Sequence, residues 1–331
     1  MNRFYWAIGI LLGCGTTARD DADVDTASVE DSTEDSASNG DSAEETDGTD
    51  IQESLSEGCG LTPADAAGGV QLELDAGTAG DGVRSYWLSR PANYDPDQGH
   101  GLIIGLPGTN ALGQSMVWYL GLESAASTED LIFVYPDPLW RDFTGWGNLG
   151  GWLLGPHANP ADGQQDLVFM DALLNRLEET YCIDRDRIFV TGHSWGGDMA
   201  AVVGCFMGDR IRAAVPAAAN RPYWFEPSDG SAMECVGTVD VWTFYGIADD
   251  HFAPYESYPG EYGDQQNAFW LNEHQCDGLS EYTELAIGGV DPCLEYSGCS
   301  SNTRYCLYGP ATGHQIPGYF SGTVMDHFER Y

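Results

Sequence analysis

The chain has 331 residues and a formal net charge of −39 at pH 7, which is unsuited to binding the phosphates of nucleic acid. It is long enough to bury a substantial core, as one large α/β domain or two small ones, and its composition favours one. All 13 basic residues are arginine, so a Schiff-base lysine, a Ser-Lys dyad and a Walker-type phosphate loop are excluded.

The first residues have the pattern of an export signal. Residues 1–15 carry one positive side chain, Arg3, and an apolar run over residues 4–12 that is too short to span a bilayer. The sequence Leu-Leu-Gly-Cys at residues 11–14 resembles the lipobox of bacterial lipoproteins, whose cysteine is acylated and becomes the mature N-terminus. Cys14 is therefore the expected lipidation site, and a plain signal peptide with a buried thiol is the alternative.

An acidic segment follows the signal. Residues 16–57 carry 15 acidic side chains against Arg19 and almost nothing apolar, which predicts a disordered and extended linker. Asp21, Asp23 and Asp25 resemble the opening of a calcium loop, but the glycine and glutamate that such a loop requires further on are missing, so no calcium site is expected. The composition becomes globular from Cys59 onward, which predicts a single folded domain over residues 58–331.

The folded part alternates between predicted strands and helices. Strands are expected at residues 83–90, 101–106, 131–135, 187–191, 213–217 and 239–245, and helices at residues 166–181, 198–208 and 322–331. This alternation predicts an α/β fold with a doubly wound, mostly parallel sheet and helices on both faces.

Glycines 145, 147 and 150 match the G-x-G-x-x-G fingerprint of dinucleotide-binding folds. Pro156 and Pro160 forbid the helix that this fingerprint needs, so no nucleotide cofactor is expected. Residues 140–152 are instead expected to form a loop at the edge of a pocket. The aromatic side chains in residues 140–152 and 221–225 are suited to stacking on a flat ring, a sugar or an apolar surface of a substrate, with structural packing as the alternative.

Gly192, Ser194 and Gly196 form a G-x-S-x-G pattern between the strand at 187–191 and the helix at 198–208. This arrangement is typical of a nucleophile elbow, where the serine lies in a strained turn and the glycines let strand and helix approach closely. The strain holds the hydroxyl at the carboxyl edge of the sheet, so Ser194 is the predicted nucleophile. The backbone N–H groups of Trp195 and of Thr109, in the loop after the strand at 101–106, are the predicted oxyanion donors.

A serine nucleophile needs a base and an acid that orients the base. On the fold that carries a nucleophile elbow, the chain order is Ser, then Asp or Glu, then His. Asp249 follows the strand at 239–245 and is the predicted acid, with Asp250 as its rival. His314 is the predicted base, because glycine and proline bound a loop that is rigid without being regular.

Three other histidines are less suitable as the base. His274 lies in a polar run and His327 in the predicted C-terminal helix, so both are expected at the surface. His251 stands too close to the acid in the sequence to face it from another loop.

Eight cysteines remain besides Cys14, and an even number in an exported chain indicates disulfides. No C-x-x-C pattern occurs, which argues against zinc and thioredoxin-like sites. The sequence alone does not choose among the possible pairings. The group Cys293-x5-Cys299-x6-Cys306 comes just before the His314 loop and is well placed to hold it.

Several segments, taken in order, resemble one group of extracellular esterases, which contains polyhydroxybutyrate depolymerases, feruloyl esterases and acetyl xylan esterases. They are VRSYWLSRPANYDP, GLIIGLPGTN, YCIDRDRIFVTGHSWGGDMA, YGIADDHFAPY, the C-x5-C-x6-C group and GHQIPG. The resemblance covers roughly residues 59–331. It implies an α/β-hydrolase fold, the triad Ser194, Asp249 and His314, a Cys205–Cys235 disulfide and one or two disulfides within residues 276–306.

Two positions depart from that group. Pro107-Gly108 stands where its members often have His-Gly, and Trp195 stands where they have a small or polar residue after the nucleophile. The first departure lies directly before Thr109, so it alters the loop that is expected to supply the second oxyanion donor. The second narrows the expected acyl pocket.

The resemblance predicts a serine esterase that acts through an acyl-enzyme on plant cell-wall or polyester-type esters, namely feruloyl and acetyl esters or hydroxybutyrate oligomers, with no metal or cofactor. A dedicated polyhydroxybutyrate depolymerase is one alternative. A non-catalytic surface lipoprotein that binds carbohydrate is an alternative of another class. The protein is expected outside the cytoplasm, secreted or anchored to a bacterial membrane only through its N-terminal lipid, with an ester substrate and no nucleic acid as its partner.

Overall fold

The computed structural model describes residues 54–143, 145–154, 164–222, 234–251, 256–287, 291–309 and 313–331. The predicted signal, Cys14 and the linker up to residue 53 lie outside these residues, as do residues 223–225 of the second aromatic segment. The strands are β1 (Gly68–Asp75), β2 (Val83–Arg90), β3 (His100–Leu106), β4 (Leu131–Pro136), β5 (Leu139–Phe143), β6 (Gly147–Gly151), β7 (Ile183–His193), β8 (Ala213–Ala217), β9 (Asp240–Gly246), β10 (Tyr282–Ile287), β11 (Asp291–Tyr296) and β12 (Thr303–Tyr308).

Ten of these strands form one sheet in the order β1-β2-β4-β3-β7-β8-β9-β12-β11-β10. The six neighbours from β4 to β12 in this order pair in parallel. Antiparallel strands close both edges, β2 and β1 on one side and β11 and β10 on the other. All six predicted strands belong to this sheet, and the mostly parallel arrangement is confirmed.

Helices cover both faces of the sheet, as a parallel sheet requires. Their bounds are α1 (Gly113–Leu120), α2 (Leu122–Ala125), α3 (Gln165–Thr180), α4 (Trp195–Phe206), α5 (Glu261–Glu273) and α6 (Phe320–Phe328), with a 3₁₀ turn at Thr78–Gly80. No helix among the described residues is long and apolar enough to cross a membrane.

Alternation along the central strands builds two apolar layers. In β3, Leu102 and Ile104 pack into the layer that includes α3 and α4, whereas Ile103 packs into the layer that includes α1 and α6. Both faces of each central strand are therefore buried, which explains why these strands appear in the sequence as continuous apolar runs.

The eight cysteines outside the signal form four disulfides, Cys59–Cys182, Cys205–Cys235, Cys276–Cys299 and Cys293–Cys306. The Cys205–Cys235 pair and the two bridges within residues 276–306 agree with what the resemblance implies. Cys293 and Cys306 face each other across β11 and β12, so this bridge fixes the strand that leads into the His314 loop.

Residues 140–152 differ from the predicted loop. They belong largely to a hairpin in which β5 and β6 pair antiparallel, from Leu139 opposite Gly151 to Phe143 opposite Gly147. Glycine is a weak strand former, and the three glycines of β6 leave no alternation of apolar and polar side chains by which the strand could be recognised in the sequence. The hairpin packs beside the loop that follows β3.

Candidate active site

Ser194 lies between the end of β7 and the start of α4, with backbone angles of φ 58° and ψ −129°. Gly192 and Gly196 explain how the chain makes this turn. A Cβ on Gly196 would lie 2.1 Å from the carbonyl oxygen of Leu106, and a Cβ on Gly192 would lie 2.3 Å from that of Gly196. Only hydrogen fits at either glycine, so the strained backbone of the elbow and its two glycines agree with the sequence prediction.

Ser194, His314 and Asp249 form one hydrogen-bonded chain. His314 Nε2 lies 2.8 Å from Ser194 Oγ, and His314 Nδ1 lies 2.8 Å from Asp249 Oδ2. Because the carboxylate accepts the proton on Nδ1, Nε2 is left to accept the serine hydroxyl. The Asp249 side chain is fully buried, whereas 19% of the His314 side chain is exposed, so the base is open to solvent on one side.

The sheet brings these residues together. Strands β7, β8, β9 and β12 are consecutive neighbours in parallel, so their carboxyl ends lie along one edge. The loops that carry Asp249 and His314 approach each other closely at Gly246 and Gly313. A Cβ on Gly246 would lie 2.6 Å from the carbonyl oxygen of Gly313. Asp250, the rival acid, is exposed, and the carboxylate that contacts His314 is that of Asp249.

His274 and His327 are buried, not exposed as the sequence suggested. His274 Nδ1 lies 2.7 Å from Thr303 Oγ1, and the His327 ring stacks on Trp242 with centroids 3.8 Å apart. Burial lowers the pKa of His274 to about 4 and that of His327 to about 3. Both are neutral core residues, and their burial depends on contacts that no local pattern in the sequence reveals.

Trp195 is the first residue of α4, so its N–H has no partner within the helix. The predicted second donor, Thr109, lies in the loop after β3, and this loop runs beside the nucleophile. A Cβ on Gly108 would lie 3.0 Å from the carbonyl oxygen of His193 and 3.3 Å from Ser194 Cβ. Both predicted donors therefore belong to backbone segments that adjoin the serine.

The backbone of the hairpin and the side chain of Trp152, the residue after β6, hold the same loop. Trp152 Nε1 donates to the carbonyl oxygen of Pro107 at 2.8 Å. Asn110, whose φ is 60°, donates its N–H to the carbonyl of Gly150 at 2.8 Å and accepts the N–H of Gly150 at 3.0 Å. The hairpin therefore fixes the loop on both sides of Thr109.

Two curated proteins resemble this chain over most of its length. Feruloyl esterase C of Emericella nidulans is 32% identical over 266 residues, which are 78% of this chain and 84% of that protein. Probable feruloyl esterase C of Aspergillus terreus is 33% identical over 263 residues, 76% of this chain and 82% of that protein. The chain belongs to the feruloyl esterase family. It is a carboxylic-ester hydrolase, although no family model matches its sequence.

Among solved structures, acetyl xylan esterase from Aspergillus awamori matches with a TM-score of 0.59 and 14% sequence identity. The match covers 79% of this chain and 100% of the other. It identifies the architecture of this feruloyl esterase family member as the α/β-hydrolase fold, as the sequence resemblance implies.

Aromatic side chains adjoin Ser194 in this feruloyl esterase family member. The Trp195 ring lies 4.6 Å from the Phe143 ring and 6.3 Å from the Trp146 ring, centroid to centroid. A Cβ on Gly151 would lie 2.7 Å from the Trp195 ring, so the glycine-rich strand β6 makes room for it. Trp140 and Trp146 are more than half exposed on the same hairpin.

Two further histidines contact His314. His193 lies on one side, with ring centroids 4.9 Å apart and planes at 48°, and His251 stacks on the ring at 4.3 Å and 14°. Burial, followed by the charge of His314, lowers the pKa of His193 to about 4, and the Tyr119 hydroxyl lies 3.2 Å from its Nδ1. The sequence places His193 beside the nucleophile, but nothing in it reveals that all three imidazoles meet.

No group of three or more histidine, cysteine, aspartate or glutamate side chains suited to a metal ion occurs among the described residues.

Proposed function

We propose that this protein hydrolyses plant cell-wall esters, feruloyl esters in particular, and that Ser194, His314 and Asp249 are its catalytic triad. The observation that carries the proposal is the unbroken pair of 2.8 Å contacts from Ser194 through His314 to Asp249. The names of the relatives, feruloyl esterase C, support the choice of acyl group.

The geometry supports acyl transfer by a serine nucleophile. His314 Nε2 accepts the proton of the Ser194 hydroxyl as Oγ attacks the ester carbonyl carbon, and the carbonyl oxygen becomes an oxyanion. The N–H groups of Trp195 and Thr109 donate to that oxyanion. Asp249 keeps the proton on Nδ1 and stabilises the imidazolium. When the tetrahedral intermediate collapses, His314 gives its proton to the departing alcohol oxygen and an ester to Ser194 remains.

The second half of the reaction uses the same groups in reverse. His314 takes a proton from a water molecule, the hydroxide oxygen attacks the acyl carbon, and a second oxyanion forms in the same position. Collapse breaks the bond to Ser194 Oγ, which receives the proton from His314. The carboxylic acid leaves, and the enzyme returns to its starting protonation state.

The aromatic side chains near Ser194 favour an acyl group with a flat ring. Phe143, Trp146 and Trp195 present three ring systems within one cluster, and aromatic rings attract one another in tilted or offset geometries. A feruloyl group has such a ring, whereas an acetyl group or a hydroxybutyrate unit has none. We therefore expect methyl ferulate to be a better substrate than an acetylated xylo-oligosaccharide or a hydroxybutyrate trimer.

The test compares release of acid from these three soluble esters and from polyhydroxybutyrate film at equal enzyme concentration. Ser194→Ala is expected to lower turnover by several orders of magnitude without changing thermal stability, because it removes only the nucleophile. Ser297→Ala is the matched control, since Ser297 Oγ bonds to the carbonyl of Glu281 in the hairpin of β10 and β11. Near-normal turnover by folded Ser194→Ala would refute the triad, and clearing of the film with no soluble ester cleaved would favour a depolymerase.

For the N-terminal part we propose export, acylation at Cys14 and an acidic linker over residues 16–57 that ties the domain of residues 58–331 to a membrane. The four disulfides support an oxidising compartment. In a bacterial host, the full-length protein is expected in the membrane fraction and labelled by palmitate, and Cys14→Ser is expected to lose both properties. An unlabelled full-length protein would refute the lipid anchor and leave the triad untouched.

A further inference from the structure

His251 contacts both the acid and the base of the proposed triad. Its ring stacks on the His314 imidazole, with centroids 4.3 Å apart and planes 14° from parallel. Its backbone N–H donates to Asp249 Oδ1 at 3.1 Å, while Asp249 Oδ2 binds His314. The side chain and the backbone of one residue therefore act on two different members of the triad.

The stacked His251 ring opposes a tilting of the His314 ring that the two hydrogen bonds of His314 restrain only weakly. His314 is held at Nδ1 and Nε2, so tilting of its ring about the line through these two atoms costs the least. A second flat ring lying parallel against its face opposes this tilt. Among the described rings that contact His314, His193 meets it from the buried interior at an angle of 48°, whereas His251 lies nearly parallel to it.

We propose that the His251 side chain is a positioning residue, which holds the His314 imidazole in line with Ser194 and Asp249 and keeps water from its solvent-facing side. The proposal rests on the proposed function of the triad. It extends that function to a residue that exchanges no proton with the substrate.

Partial burial, more than the surrounding charges, favours a neutral His251. Partial burial and then the charge of His314 lower the pKa of His251, while Asp249 and Asp250 act in the opposite direction. Among the described residues, the titratable groups close to this cluster include His193 at the end of β7, Tyr119 of α1 behind it, and Tyr245 of β9 and Tyr308 of β12 near Asp249, with Glu256 beside Tyr245 and Tyr319 beside Tyr308. The ring that covers His314 is therefore uncharged when His314 acts as a base.

His251→Ala isolates the side chain, because the backbone N–H that binds Asp249 remains. We expect kcat to fall about 2- to 12-fold, the range that loss of one aromatic contact gives, with KM unchanged. The rate of inactivation by a serine-reactive phosphonate should fall by the same factor. The acid limb of kcat/KM should move to higher pH, since water then solvates the His314 imidazolium more freely. His251→Phe keeps a flat ring and should restore all three values.

Tyr282→Ala is the matched control. It removes an exposed ring on the far edge strand β10, where Tyr282 contacts Tyr296 of β11, and it should leave kcat and the pH profile unchanged. Wild-type kcat and an unmoved acid limb in His251→Ala would overturn the proposal. Equal losses in the Ala and Phe variants would also overturn it, because they would indicate a need for the imidazole nitrogens. Failure of the proposed function itself would appear separately, as retained activity in Ser194→Ala.

Discussion

Ser194 has a backbone conformation that residues with a side chain rarely adopt. The residues two positions before and after it, Gly192 and Gly196, lie where the turn is tightest and have no side chain. The N–H of Ser194 donates to the carbonyl of Ala217 at 2.9 Å, and its own carbonyl accepts the N–H of Asp198 at 2.9 Å. A Cβ on Gly197 would lie 2.5 Å from the same Ala217 carbonyl. Strand β8 therefore supports the elbow from one side and the loop after β3 from the other, which keeps the strained turn in place.

Gly196→Ala should destabilise the enzyme by about 3 kcal/mol or more, because overpacking against a fixed carbonyl cannot be relieved by a rotamer change. The added Cβ would lie 2.1 Å from the Leu106 oxygen. Gly322→Ala is the control, since nothing lies within 4 Å of its Cβ position in α6 and alanine favours a helix. Urea unfolding followed by tryptophan fluorescence measures both, and wild-type stability in Gly196→Ala would contradict the steric account.

Asp249→Asn should lower kcat by roughly 10⁴-fold, the effect that the corresponding change has in a well-studied serine protease triad. The amide fails to fix the His314 tautomer and to stabilise the imidazolium. Asp250→Asn should keep near-normal activity, since Asp250 is exposed and Asp249 makes the 2.8 Å contact with His314. Steady-state kinetics on methyl ferulate measures kcat for both variants. A large loss of kcat in Asp250→Asn with near-normal kcat in Asp249→Asn would identify Asp250 as the acid.

At the scale of the element, the sequence reveals what local patterns specify and hides what distant contacts decide. The runs that form β3, β4 and β8 are apolar throughout because both faces are buried, so they are recognisable. The edge strands β1 and β10 each pair with the next strand along the chain, β2 and β11, but their sequences mix polar and apolar residues and lack the continuous apolar run of a central strand.

The site follows the same division. Ser194 is marked by a local motif, whereas Asp249 and His314 are chosen among rivals by chain order and loop chemistry. The stack of His251 on His314 joins residues 63 positions apart through the adjacency of β9 and β12, which only the assembled sheet defines. The burial of His327 depends on Trp242 in the same way.

The disulfides provide an element-scale prediction. Cys59–Cys182 spans 123 residues and joins the segment before β1 to the start of β7, whereas Cys293–Cys306 spans 13 residues between adjacent strands. On the chain-entropy estimate, the long bridge contributes about 5 kcal/mol and the short one about 3 kcal/mol. Replacing both cysteines of one bridge by serine and measuring urea unfolding should therefore show a larger loss of unfolding free energy for Cys59–Cys182 than for Cys293–Cys306. Equal losses would contradict the entropic account, and free thiols other than that of Cys14 in the unfolded, unreduced wild type would contradict the bridges.

For the molecule as a whole, buried ionisable groups make stability depend on pH in opposite directions. Burial lowers the pKa of His193 and His274 to about 4 and of His327 to about 3, so below about pH 6.5 the unfolded state binds protons that the folded state refuses. Burial raises the pKa of Asp198 to about 7, so between about pH 4 and 7 the folded state holds a proton that the unfolded state has lost. Three histidines outweigh one aspartate, and these groups together make stability fall as the solution becomes acidic.

The net charge of −39 complicates a test on the wild type alone, because acid also neutralises carboxylates and relieves their mutual repulsion. A difference between two proteins with the same carboxylates removes this contribution. The His327→Phe variant is a suitable second protein for this comparison, since phenylalanine keeps a flat ring against Trp242 and does not titrate. His327 is almost fully buried, so the substitution leaves the surface charge of the folded enzyme unchanged at neutral pH.

Between pH 7.5 and 5.0, His327 should cost the wild type about 2 kcal/mol of unfolding free energy, from linkage between an unfolded pKa near 6.5 and the lowered folded value. His327→Phe should therefore lose about 2 kcal/mol less than the wild type over the same interval, whatever its stability at pH 7.5. Urea unfolding of both proteins at the two pH values measures the difference. Asp250→Asn, which alters an exposed acid, should follow the wild-type change closely. Equal losses in wild type and His327→Phe would mean that His327 is protonated in the folded enzyme at pH 5.0, and its burial against Trp242 would then be wrong.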